Sequence, residues 1–196
     1  VDVSDFQARK PNPQGRIISR LSWAPMSSPQ VAIPLTIKGR PYVFEIDEFG
    51  AGKGERAARI IDIGDETKPF VLSNLRLEVH NPENFAAIAD DPAADNVLGG
   101  YAGHYCNVPA RKDPKIVACS MISSGLRIFN IEDPAHPREV AYFHAPVHDR
   151  FVTVLAPASN FAMSSPAFVP ERKEIWYSDA YNGFYAVRVT NGAWPD

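Results

Sequence analysis

The chain has 196 residues, a formal charge of −3, 45% hydrophobic residues and 22% charged ones. That balance belongs to a folded globular chain and excludes a disordered one. No run of Lys or Arg marks a nucleic-acid footprint, and no apolar stretch approaches the ~20 residues of a membrane-spanning helix, so neither a nucleic-acid partner nor a transmembrane segment is expected.

The chain is rich in turn formers, with 18 Pro and 12 Gly, and in aromatic residues between them. This composition predicts an all-β fold. Val1-Asp2-Val3-Ser4-Asp5 opens a pattern that recurs at Arg59 to Asp65 and Arg127 to Asp133, and more weakly at Tyr185 to Asn191. The second and third copies align without gaps as R-I-φ-[DN]-I-x-D-x-x-x-P, ending at Pro69 and Pro137. Anchored on Val3, Ile63, Ile131 and Val189, the spacings are 60, 68 and 58 residues. Each copy reads as a half-buried strand stopped by Asp or Asn, which favour turns, and by Pro, which cannot extend a ladder.

Companion strands surround each copy. In chain order they are Arg16 to Trp23, Gln30 to Ile37, Pro41 to Asp47, Phe70 to Leu77, His104 to Pro109, Lys115 to Ile122, Arg138 to Phe143, Ala167 to Pro170 and Glu174 to Asp179. The unit is therefore four antiparallel strands, a to d, the signature of a β-propeller blade. The expected organisation is strands c and d of a leading blade (1–23), a blade (24–79), an insertion (80–103), a blade (104–145), an insertion (146–163) and trailing strands a to c (164–196). A further insertion runs from Glu48 to Ala58, and Asn81-Pro82-Glu83 predicts a short helix with Pro at its first position.

Such a chain is an incomplete arc. The missing blades are expected in an N-terminal part of the same precursor, which makes this the C-terminal part of a larger propeller; another chain or a second copy are the alternatives.

"SGLRIFNIEDPAHPREVAYF" (124–143), with "RIIDIGDETKP" and the leading "VDVSD", resembles the LVIVD-repeat family. These are bacterial and archaeal proteins, often secreted or surface-attached, expected to fold as β-propellers. The likeness covers roughly residues 1–8, 16–78 and 100–191, and it implies a fold but no catalytic residues. The fourth copy departs from the pattern, with Arg188 where Asp or Asn stands elsewhere.

Both cysteines lie in one predicted hairpin. Pairing it around Lys112-Asp113 sets Cys106 opposite Cys119, within disulfide reach. Two reduced core thiols, or metal or redox ligands, are the other readings. A disulfide favours an extracellular, periplasmic or cell-surface location. His80, His104, His144 and His148 lie near strand ends, and convergence with Glu78 or Asp149 would suit a transition metal. The default is histidines that only hydrogen-bond, with no cofactor. His136, in its Asp-Pro turn, is expected in solvent.

"GAGKGER" (50–56) lacks the Ser or Thr of a phosphate loop, and Asp90, Asp91 and Asp95 lack EF-hand spacing. Ser27-Ser28 and Ser164-Ser165 recur at strand entries, which argues for a turn role.

The expected function is a binding or scaffold module acting through its loops, with Phe85, Tyr101, Phe151 and Phe161 as aromatic anchors. The alternatives are a metal-dependent hydrolase or oxidoreductase with a histidine site near the propeller axis, and a processed subunit that completes a ring with another chain.

Overall fold

A computed structural model describes residues 1–23, 28–48, 58–91, 93–94, 100–146 and 160–195. Its strands form three antiparallel sheets. Sheet 1 holds β1 (Ser28–Ile37), β2 (Arg40–Glu48), β3 (Ala58–Asp62) and β4 (Phe70–Leu75), in that order. Sheet 2 holds β5 (Tyr105–Asn107), β6 (Ile116–Ser120), β7 (Leu126–Asn130) and β8 (Arg138–Phe143). Sheet 3 holds β9 (Ala167–Val169), β10 (Glu174–Asp179) and β11 (Gly183–Arg188). The chain is mostly β, as its composition predicts.

Sheets 1 and 2 are copies in detail. Both carry an irregularity at the same place, between Ile60 and Ile61 opposite β4 and between Ile128 and Phe129 opposite β8. The extra residue is Leu72 in one sheet and Val140 in the other, and each packs on a core. The Asp or Asn of the motif forms an Asx turn: Asp62 Oδ1 accepts the Gly64 N–H at 2.8 Å, and Asn130 Oδ1 accepts the Glu132 N–H at 3.0 Å. Asp2 makes the same turn, accepting the Ser4 N–H at 2.8 Å. A second Asx turn follows in both full copies, at Asp65 and Asp133. The next apolar residue donates its N–H across the strand end in three copies: Ile63 to Pro41, Ile131 to Lys115 and Val189 to Lys173. In sheet 3, Arg188 replaces the turn-forming side chain and pairs with Glu174 at 3.2 Å.

The leading strand pair is corrected. Val1–Asp5 and Arg16–Trp23 meet at one bridge, Asp2 with Arg16, and Ser4–Gln7 forms a single α-helical turn. A two-stranded ribbon is marginal in water unless other strands flank it, and none does among the described residues. After β4, 3₁₀ turns occupy Glu78–His80 and Pro82–Ile88. Asn81 precedes Pro82 as expected, but it caps through its backbone: its carbonyl accepts the Asn84 N–H at 2.8 Å, while its amide donates to Glu78 at 3.2 Å.

The β5–β6 hairpin pairs Cys106 with Cys119 in the register read from the sequence. Their sulfurs are bonded and their Cα atoms are 4.0 Å apart. Asp113 takes the left-handed conformation at the hairpin turn (φ 48°), and its carboxylate accepts the Lys38 N–H at 2.7 Å. Gly125 is required between β6 and β7, because its φ is +80° and a Cβ there would strike the Phe143 carbonyl.

Two apolar cores bind the sheets face to face. The larger joins Leu35, Phe44, Ile46 and Ile60 of sheet 1 to Val117, Cys119 and Phe129 of sheet 2. The other joins Ile116, Ala118 and Ile128 of sheet 2 to Ile175 and Tyr177 of sheet 3. Sheet 2 is therefore the middle layer, and every residue of β6 is buried.

Candidate functional site

The first Arg of each full motif copy sits deep in the protein. Arg59 pairs with Glu45 and Asp47, and its guanidinium lies 4.4 Å from the Trp23 ring centroid. Glu45 and Asp47 are two residues apart on β2, so they share one face. Burial pushes the Glu45 carboxyl up to about 8, against the pull of Arg59 and with the help of neighbouring Asp47. Arg127 meets one carboxylate, Glu139, at 2.8 Å, and two rings, Tyr142 at 4.7 Å and Tyr101 at 5.8 Å. Glu139 also accepts the Glu78 N–H at 2.7 Å, which ties the 3₁₀ segment to β8.

Beside Arg127 lies a cavity of about 870 Å³. The ends of β7 and β8, the 3₁₀ segment, Tyr101, His144 and residues 187–191 line it. Tyr101 donates its hydroxyl to Asp91 at 2.6 Å, and burial raises its phenol well above the ordinary range. His80 and His144 flank Tyr101, each with its ring centroid 6.2 Å away. His80 is 2% exposed, and among the described residues its Nδ1 has no hydrogen-bond partner. Burial, with Arg127 and Arg76 nearby, holds it down to about 4, so the ring is neutral at pH 7. His144 Nε2 faces the Ser123 carbonyl at 2.9 Å and the Asn160 amide.

His104 lies elsewhere. Its Nδ1 is 2.6 Å from the Met163 carbonyl, and its Nε2 is 3.0 Å from Glu48 and 3.3 Å from Gln30. These contacts link the start of β5 to sheet 1 and to the entry of sheet 3. Two of the four candidate histidines thus share the Tyr101 neighbourhood, one does not, and His148 lies outside the described residues. Among the described residues no group of three or more His, Cys, Asp or Glu could hold a metal ion. His136 is exposed, with Nδ1 2.9 Å from Asp133.

The aromatic anchors also separate. Tyr101 and Phe161 are buried, at 4% and 7% exposure, and contribute to cores instead of loop tips. Phe85 is half-buried in the 3₁₀ segment, and Phe151 and residues 50–56 lie outside the described residues. The exposed large ring beside the cavity is Tyr142, at 67%. It occupies an outward position on a strand, where periodicity marks exposure but not partnership with Arg127.

In the cavity wall the Arg127 guanidinium is matched by the Glu139 carboxylate, and aromatic and aliphatic side chains alternate with Glu78, Arg188 and Asn191. No helix among the described residues is long and apolar enough to cross a membrane. No protein-family model matches the chain, and no curated protein sequence matches it.

Proposed function

We propose that the three sheets are successive blades of an LVIVD-type β-propeller, and that the protein is a binding or scaffold module of an oxidising compartment, extracellular, periplasmic or at a cell surface. The observation that carries this reading is the repeated unit itself. Sheets 1 and 2 share strand order, irregularity and double Asx turn, and sheets 1 and 3 stack on opposite faces of sheet 2. Successive four-stranded sheets stacked in this way are how a propeller covers its sheet faces while leaving only short edges. The Cys106–Cys119 bond supports the compartment. The cavity between β8 and the end of β11 is the recognition surface of the module.

Electron microscopy of the native assembly tests the reading. The expected result is a closed ring of ~4–8 four-stranded sheets. A two-layer sandwich, or an open stack, would overturn it.

A further inference from the structure

We propose that a second copy of this chain completes sheet 3, its residues 16–21 adding to the open edge of β11 as the fourth strand. The inference deepens the blade reading and rests on the equivalence of the sheets.

Among the described residues sheet 3 has no fourth strand, and residues 16–21 are an extended segment that joins no sheet. In sheets 1 and 2 the third strand pairs on its outer side with β4 or β8, whereas β11 has no such neighbour among the described residues. Residues 16–21 make no ladder beyond the bridge at Arg16, yet they already lie where a fourth strand belongs. Ser73 of β4 donates its hydroxyl to the Pro134 carbonyl of the following sheet at 2.6 Å. Ser19 donates to the Glu66 carbonyl at 2.7 Å, and Glu66 holds in sheet 1 the motif position that Pro134 holds in sheet 2. Residues 16–21 therefore sit on sheet 1 as β4 sits on sheet 2. Trp23 on Arg59 fixes their end. Ile17 and Ile18 remain 57% and 40% exposed.

A chain cannot fill its own vacancy, because sheet 2 stands between sheets 1 and 3. A second copy brings its segment ready placed. Carrying over the pairings of sheets 1 and 2 sets Val187 opposite Ile17, Ala186 opposite Ser19 and Phe184 opposite Leu21, with Ile18 as the extra residue matching Leu72 and Val140. Ile17 then takes the position of Glu139 and enters the cavity beside Val187. Leu21 covers Phe184, which is 62% exposed. Arg16, paired with Asp2 in its own chain, comes beside Arg188, which shares the Glu174 carboxylate with Arg172. Main-chain bonding along an open edge supplies affinity, and alternate side chains supply register. Reciprocal pairing makes a two-fold dimer that brings together six sheets, three from the described residues of each copy, a number inside the ~4–8 of closed rings.

The test uses the full chain. Light scattering should give twice the 21.6 kDa chain mass. Mixing separately made Ser19→Cys and Ala186→Cys proteins under mild oxidation should give a cross-linked pair on non-reducing gels that neither gives alone. Ile18→Asp, at a position exposed in the single chain, should leave the circular dichroism unchanged and weaken association at least about tenfold, a cost of ~1.4 kcal/mol. A monomeric wild type overturns the proposal, as does a dimer indifferent to Ile18→Asp, an absent cross-link, or completion only by a different polypeptide; each leaves the blade reading standing. A cross-linked dimer without a closed ring overturns the blade reading and leaves the strand pairing standing.

Discussion

Arg59 and Arg127 occupy the same position of the repeat, and their surroundings differ. Arg59 is held by two carboxylates and a tryptophan. Arg127 is held by one carboxylate and two tyrosines. The repeat thus preserves backbone devices and a buried guanidinium, while its carboxylate partners come from different strands: β2 supplies them in sheet 1 and β8 in sheet 2. Charge is matched one to one around Arg127. Around Arg59 there is an excess carboxylate, and the raised Glu45 carboxyl, protonated over much of the neutral range, relieves it.

Removing each arginine is the sharpest way to break the comparison. Arg59→Met and Arg127→Met should each cost ~3–5 kcal/mol in denaturant unfolding at pH 8, because buried carboxylates lose their partner. The Arg59→Met loss should shrink more strongly on going to pH 5, where protons can neutralise the adjacent pair. Equal pH responses would mean the two sites are electrostatically alike. Next in size, replacing Cys106 and Cys119 with Ala should cost ~3 kcal/mol, in line with the short loop their bond closes. If reduction left the midpoint of the wild type unchanged, the bond would not be stabilising.

The pH profile is the next contrast. Glu45 titrates at about 8 folded against its usual 4.5, so the folded chain holds a proton the unfolded chain has released. Stability then falls as pH rises through that window. His80 titrates at about 4 against its usual 6.5, so stability falls as pH drops through 6.5 to 4. The two trends oppose each other between 4.5 and 6.5, and above 6.5 only the Glu45 decline remains. Glu45→Gln should flatten that decline; a profile identical to the wild type would exclude Glu45 as its source. The smallest effect is expected at Asn130→Ala, which removes one Asx turn for ~1 kcal/mol, read as a small fall in thermal midpoint.

Strand order and the disulfide register were legible because local rules determine them. Period-two patterns mark the strands, and the Lys112-Asp113 turn forces Cys106 opposite Cys119. The leading Val1–Asp5 copy shows the limit: its letters fit a strand, but a strand needs neighbours, and where the described residues supply none, one helical turn forms. The arginine centres were half legible. The motif displays both Arg residues, but nothing in its spacing shows that Glu45, Asp47, Trp23 and Tyr142 surround them, because those contacts cross between strands and segments. The histidines were the least legible. Proximity to a strand end does not say which end of which sheet, and His104 faces Glu48 while His80 and His144 flank Tyr101.

The covering of sheet 2 on both faces also sets an order of opening. β6 (Ile116–Ser120) is buried throughout, and its neighbour β5 is bonded to it covalently. Its amides exchange with solvent deuterium only when both cores part, whereas those of β11 have an edge that is open in the single chain. In the monomer, deuterium uptake should therefore be slowest in β6 and β7 and fastest in β11 and residues 1–23, and association through that edge should slow uptake in those two segments while leaving the middle sheet unchanged.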